Sequence, residues 1–545
     1  VKAKFQFPDS NLQITPVAPL RLEKRGGVVF ADFGQAAWGN LRMSFAGVPT
    51  SQIIVRLGEK LDANGAIDRA PPGSVNFREI VLSPRGGQRI YQLDIPPHWM
   101  HADEMAVGMP PCVGEVTPFR YAEIEGTSEI LQSSQVRQLF VHAPFDDDAA
   151  DFECSDETLN AVWKLCKHTM KATTAFGVYI DGERERIPYE ADAYINQLSH
   201  WACDFDTTVP RATLLHLLDN PTWPTEWSFH TVMMAAADYA ATGDKEFVAR
   251  HYQKLTPKLL MEKAREDGLL RAGAIVDWPA CERDNFNCGE VFPGAEYTQL
   301  GPNANAVVNA FYFHALQRMA FLAKNLGRNC EAEYFTGTAH KVYNSFNTHF
   351  FDAAKNLYID GIEEDGTPSN HVSLHANMFA LAFELVPPEK QKSVADYIQS
   401  RGMACSVYGA QYLLEALFRA GRDEAALRLL TARGPRSWWQ MIERGSTMTW
   451  EAWDENVKPN LTWNHAWGAA PANIITRFVL GVLPASPGYE TVRISPQPGT
   501  LKWARGKVPT PRGPIEIYFE NQNEFRLEFK LPDGVRVAGN GKLRA

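Results

Sequence analysis

Between residues 181 and 192 the chain sets five carboxylates, Asp181, Glu183, Glu185, Glu190 and Asp192, among two arginines, Arg184 and Arg186. Tyr189 lies inside the same stretch, and apolar Phe176, Val178, Tyr179 and Ile180 lead into it. Gly182 and Pro188 argue against a continuous helix, so this reads as a charged loop held between buried elements. Carboxylates crowded in that way must pair or shift their proton affinities. A general acid has to keep its proton near neutral pH. Arginines work against that, so Glu185 needs burial or a carboxylate neighbour such as Asp181, Glu183, Glu190 or Asp192. The plainer reading is a solvated loop of weak surface ion pairs.

A second acidic site lies far downstream, in Gly445-Ser446-Thr447-Met448-Thr449-Trp450-Glu451-Ala452-Trp453-Asp454. Glu451, between Trp450 and Trp453, suits a desolvated carboxylate beside an aromatic surface; the competing reading is a helix start whose acids favour the dipole. His465, in Trp463-Asn464-His465-Ala466-Trp467-Gly468, is either a site residue or a structural donor. Asp277-Trp278 and Trp438, with Trp439 beside it, could line a pocket or fill a core. Two separated carboxylate sites are the minimum equipment for glycoside hydrolysis by paired acids. Cys281 and Cys288 flank Glu282 and Asp284, with Glu290 beyond, but without a recognised ligand spacing, so neither a metal nor another cofactor is expected.

The elements that must carry these groups fall into three blocks. Residues 1–145 read as β: short apolar or alternating runs at 27–34, 52–57, 75–82, 89–95, 116–124 and 138–141, punctuated by Gly, Pro, Asn and Asp, predict a β-sandwich. The acidic stretch 146–151 reads as a linker. Helical periodicity then begins: Leu159, Val162, Trp163, Cys166 and Met170 share one face after a predicted N-cap at Ser155. Further helices are predicted at 191–204, 211–219, 229–242, 245–265, 304–326, 329–349, 371–385, 388–401, 406–420, 423–433 and 466–480. About twelve helices in hairpins suit an (α/α)6 barrel over 146–485. From 486 to 545 strands return at 491–494, 515–519, 525–529 and 535–537, with a turn at Pro532-Asp533-Gly534, predicting a small C-terminal β domain. The fold class is thus mainly α with β domains.

A chain of 545 residues with net charge −10 makes nucleic acid a poor partner. No apolar run reaches the length of a membrane span, and no P-loop, dinucleotide fingerprint, HExxH or GxSxG motif is present. The eight cysteines are scattered without CxxC spacing, which points to free thiols in a reducing, cytoplasmic setting. The start lacks both Met and a signal-like apolar stretch, and so leaves a removed export signal open.

The two carboxylate motifs together resemble those of the α-L-rhamnosidases of glycoside hydrolase family 78. That family carries D-C-P-x-R-(D)-E-R-x-G-W-x-G-D, and Arg184-Glu185-Arg186-Ile187-Pro188-Tyr189-Glu190-Ala191-Asp192 is similar to its second half. The resemblance implies that Glu185 is the catalytic acid, Arg184 the sugar-binding arginine, Tyr189 the stacking residue and Asp192 the final aspartate. A later A-T-T-x-W-E-R-W-D falls on residues 446–454 and implies Glu451 as general base, with Trp450 beside it. N-H-x-x-x-G places its histidine on His465, and the Asp-Trp pair and a pocket tryptophan fall on Asp277, Trp278 and Trp438. Asp-Cys-Pro is replaced by Asp181-Gly182-Glu183 at a shorter spacing, so either Asp181 or Glu183 could hold the sugar hydroxyls. The resemblance implies an (α/α)6 barrel, inverting hydrolysis and a small rhamnoside or oligosaccharide as partner; a homodimer stays open. The rival readings are another six-hairpin-barrel glycosidase for a different sugar, a polysaccharide lyase, and a non-catalytic sugar-binding protein.

Overall fold

The computed structural model describes residues 11–286, 304–363 and 365–538. The N-terminal β region is organised by one long strand, Val28–Ser44. It pairs antiparallel with Arg21–Arg25, Thr117–Glu125, Val136–His142 and Ile90–Gln92 in turn along its length. The register shifts between Asp32 and Ala37, where Gly34 has φ of 85°. A bulge with a residue in this region bends a strand and changes its partners, and here it joins eight strands in one network. The run expected at 27–34 is therefore the first half of a much longer strand. Gln13–Val17 and Arg21–Arg25 escape the sequence reading because both lie largely exposed and carry no apolar alternation.

The helical body follows the predicted periodicity closely. Helix Glu157–Ala172 buries Leu159, Val162, Trp163, Cys166 and Met170 together, as their spacing requires. Its N-cap is Asp156, whose side chain accepts from the Leu159 N–H, and not Ser155. The helix expected over 245–265 stops at Leu255, with Pro257 in the 3-10 turn that follows. The segment 466–480 is a composite: a 3-10 turn at Ala466–Ala469, a short α-helix Ala470–Ile474 and a π turn Ile475–Val479. A short helix, Trp438–Glu443, was not expected there.

The stretch read as a linker leads into a strand, Asp151–Cys154, which pairs with Trp503–Val508 of the C-terminal sheet. That sheet continues through Ile515–Asn521 and Phe525–Lys530. Phe152 and Cys154 share one buried core with Ala504, Val508 and the body's helices, so the C-terminal strands pack onto the helical body. Among the described residues no cysteine is paired, no group of three His, Cys, Asp or Glu could hold a metal, and no helix is long and apolar enough to cross a membrane. Cys288 and Glu290 lie outside the described residues.

Candidate active site

The charged loop connects helix Glu157–Ala172 to helix Glu190–Cys203. It closes on itself: Asp181 N–H donates to the Ile187 carbonyl at 2.9 Å, and Arg186 N–H to that of Gly182 at 3.0 Å. Gly182 has φ of 147°, and a Cβ there would sit 3.1 Å from both Asn464 Oδ1 and Thr462 Oγ1. Gly182 thus lets the loop lie against the segment that follows Glu451.

The loop's charges divide into two sets. Glu183 and Arg186 point inward. Arg186 is fully buried and donates from Nε and Nη2 to Glu183 at 3.0 and 2.9 Å and from Nη1 to Glu115 at 2.7 Å. Trp38 of the N-terminal β region donates its indole N–H to Glu183 at 2.9 Å, and the His101 ring bonds the Glu183 carbonyl. Glu183 is therefore the loop's anchor to the β region. Glu59 completes the clamp: it accepts from Asn464 Nδ2 at 3.0 Å, and Asn464 Oδ1 accepts the Glu183 N–H at 2.8 Å.

Arg184 and Glu185 face the other way. The Arg184 guanidinium donates from Nη1 to Glu185 and from Nη2 to Glu451 at 2.8 Å, with Asp181 3.8 Å away. Arg184 thus reaches a carboxylate 267 positions further along the chain. A single planar guanidinium spans both contacts, so the two carboxylates' nearest oxygens stand no more than roughly 8 Å apart. Glu451 is buried, and also accepts the Thr462 N–H at 3.1 Å and lies 3.4 Å from Lys458 Nζ. Glu185 keeps about a third of its side chain open, 32%, and accepts the Tyr189 hydroxyl at 2.8 Å.

Asp181 and Glu183 have different surroundings. Asp181 Oδ1 accepts the Ile187 N–H at 3.0 Å, while its buried Oδ2 has no hydrogen-bond partner among the described residues. Burial, reinforced by the charge of Glu185, pushes its carboxyl well above the ordinary range, against the pull of Arg184. Glu183 is engaged at both oxygens, whereas Asp181 keeps one oxygen unbonded among the described residues.

Asp192 and His465 come together, Oδ1 to Nε2 at 2.7 Å. Burial pushes Asp192 up to about 8 and the imidazole down to about 3, so they form an uncharged pair sharing one proton near neutral pH. Trp278 stands at the edge, 38% exposed, with Lys458 Nζ 5.6 Å from its ring centre. Three expected sugar-binding residues sit elsewhere. Asp277 is fully buried and occupied by the Ser406 N–H and hydroxyl and by His375. Trp438 is buried, donates to the Gly468 carbonyl at 2.7 Å and packs edge-on against Trp453. Trp450 stacks on Trp463 at 4.9 Å, also fully buried. All three are fully buried and engaged with other protein groups. Trp38, Glu59 and Lys458 were missed, because nothing in a single sequence marks a long-range buried partner.

Residues 147–479 match the bacterial alpha-L-rhamnosidase 6 hairpin glycosidase domain, and residues 481–538 match the bacterial alpha-L-rhamnosidase C-terminal domain. The chain belongs to the bacterial alpha-L-rhamnosidase six-hairpin glycosidase family, as its two carboxylate motifs led one to expect. It is 23% identical to an alpha-L-rhamnosidase of Streptomyces avermitilis, across 96% of this chain and 49% of that protein. The chain spans about half the length of that relative, and 58% of one from Formosa agariphila. In fold it is similar to a Streptomyces avermitilis alpha-L-rhamnosidase complexed with L-rhamnose, with a TM-score of 0.75 and 19% identity over 97% of this chain and 50% of that one. It is also similar to a Klebsiella oxytoca rhamnosidase with rhamnose bound, with a TM-score of 0.62 and 15% identity over 86% of this chain and 96% of that one.

Proposed function

We propose that this chain releases terminal α-L-rhamnose from small rhamnosides or oligosaccharides by inverting hydrolysis. In this reading the chain comprises an N-terminal β-sandwich (1–145), an (α/α)6 barrel (146–485) and a C-terminal β domain (486–545). The observation that carries it is the Arg184 guanidinium bridging Glu185 and Glu451. Inversion needs two carboxyl groups about 6.5–9.5 Å apart, leaving room for a water beside the sugar, and the upper bound of roughly 8 Å set by one guanidinium is compatible with that separation. Glu185, the more open of the two, protonates the glycosidic oxygen. Glu451, buried and held by Thr462 and Lys458, takes the proton of the attacking water. Asp181 Oδ2 accepts a sugar hydroxyl, and Trp278 and Tyr189 border the ring.

A second assignment has one observation in its favour: Asp181 carries an oxygen unbonded among the described residues and the raised proton affinity that an acid needs. Leaving-group dependence separates the two. Removing the true acid slows a p-nitrophenyl rhamnoside far less than a rhamnoside with an alcohol leaving group, because a good leaving group departs without protonation. The reading expects that asymmetry in Glu185→Gln, with a uniform loss in Asp181→Asn. The reverse pattern moves the acid to Asp181, and near-wild-type turnover by both Glu185→Gln and Glu451→Gln removes the proposal.

A further inference from the structure

Away from the carboxylates, a cavity of about 690 Å³ opens between the helical body and the segment that leads into the C-terminal strands. A smaller lobe of about 250 Å³ adjoins it, sharing Tyr194, Arg318, Arg419 and Arg477. None of its lining residues belongs to the candidate active site. Its wall carries Arg318 from helix Ala306–Asn325, Arg419 from the last turn of helix Gly409–Arg419 and Arg477 from the π turn Ile475–Val479. Arg493 of strand Thr491–Ile494 completes the set.

The charges there do not balance. Arg419 Nη1 donates to Glu384 at 3.0 Å; Arg477 Nη1 donates to Glu415, and to Asn473 Oδ1 at 3.1 Å. Arg318 has no hydrogen bond or ion pair with any described residue, and its Nε is shut off from solvent. Four arginines thus face two glutamates in a chain whose overall charge is −10. Burial and the adjacent Arg419 hold the Arg318 guanidinium below its ordinary value. His314, in the smaller lobe, is kept neutral by burial and by the field of the same arginines. Gathering like charges around a partly desolvated arginine is unfavourable unless an anion enters.

We infer that this cavity is a binding site for a phosphate-bearing small molecule, with Arg318, Arg419 and Arg477 gripping the phosphate. Guanidinium forks match phosphate oxygens two at a time, and each of Arg419 and Arg477 has nitrogens left over after its glutamate contact. The volume falls in the ~300–1,000 Å³ range of small-molecule sites, much larger than a phosphate alone requires. The lining includes aromatic Phe418, Phe478 and Tyr489 and polar Gln391, Asn473 and Thr476, a mixture that suits a polyhydroxylated body with an apolar face, as in a sugar phosphate. The Tyr194 hydroxyl, which has no hydrogen-bond partner among the described residues, is available to it.

The test is a phosphorus NMR titration of the intact chain at constant ionic strength, with inorganic phosphate in one arm and a hexose 6-phosphate in the other. Saturable line broadening is expected in both arms, with the hexose phosphate binding at least tenfold more tightly. Arg318→Gln should weaken both arms tenfold or more, while Arg250→Gln, at an exposed helical ion pair, leaves them unchanged. Arg493→Gln, at the cavity's open rim, gives a second reading free of any folding defect and should weaken binding about threefold. Tighter binding of inorganic phosphate than of the ester would overturn the sugar-phosphate assignment. Absence of saturation in the wild type, or equal broadening in wild type, Arg318→Gln and Arg493→Gln, would overturn the site itself.

Discussion

Replacing Glu59 by Gln should make this protein more stable at alkaline pH and leave it nearly unchanged in acid. Glu59 is buried where the β region meets the active-site loop. It accepts the Asn76 N–H at 2.8 Å and Asn464 Nδ2 at 3.0 Å, and through Asn464 it steadies the Glu183 N–H. Burial, offset by those donors and augmented by the charge of Glu183, pushes its carboxyl up to about 8. An acid whose affinity is higher folded than unfolded holds its proton in the native state over a window where the unfolded chain has released it. Stability then falls as pH rises from about 4.5 to about 8, with a slope of about 1.4 kcal/mol per pH unit, and is level above that. The integrated cost is a few kcal/mol. Glutamine keeps the acceptor oxygen and has no proton to lose, so the difference between Glu59→Gln and wild type isolates this one group. Urea unfolding followed by tryptophan fluorescence from pH 5 to 9 should show the variant's advantage growing with pH and levelling near pH 8. A difference independent of pH, or a wild type more stable at pH 8.5, would refute a protonated Glu59 at the interface.

Other expectations follow from the same geometry. Arg184→Met takes from buried Glu451 its guanidinium partner and leaves it Lys458 and the Thr462 N–H; breaking such a pair costs about 3–5 kcal/mol, so kcat/KM on an aryl rhamnoside should fall by about two to three orders of magnitude, and an unchanged value would contradict the bridge. Trp38→Phe removes the indole donor from buried Glu183, and should lower stability by about 1–3 kcal/mol, read by urea unfolding at pH 7. Trp278→Ala should raise KM severalfold with kcat little changed, since loss of an exposed stacking face is worth about 1 kcal/mol, whereas Trp438→Phe should act on unfolding and not on KM.

What the sequence disclosed depended on the range of the interaction. The inner face of helix Glu157–Ala172 was legible because helical spacing is a local property, and the two carboxylate motifs were legible because each is contiguous. The long bent strand was read only in part, since a bulge at Gly34 breaks the alternation that marks a strand. Asp277, Trp438 and Trp450 were expected to touch sugar, yet their side chains are fully buried. An aspartate or tryptophan next to a motif looks the same in sequence whether its side chain faces the cavity or the core. The different surroundings of Glu183 and Asp181 were not legible in sequence, because Glu183 is engaged by Trp38, distant along the chain.

The most direct test of the pairing of Glu185 with Glu451 is proton NMR of the sugar released from an aryl α-L-rhamnoside, recorded before mutarotation, for wild type and Glu451→Gln. The pairing predicts β-L-rhamnose as the first product of the wild type and a loss of at least a thousandfold in its rate of release in the variant. An α-configured first product, or undiminished β-product from Glu451→Gln, would contradict it.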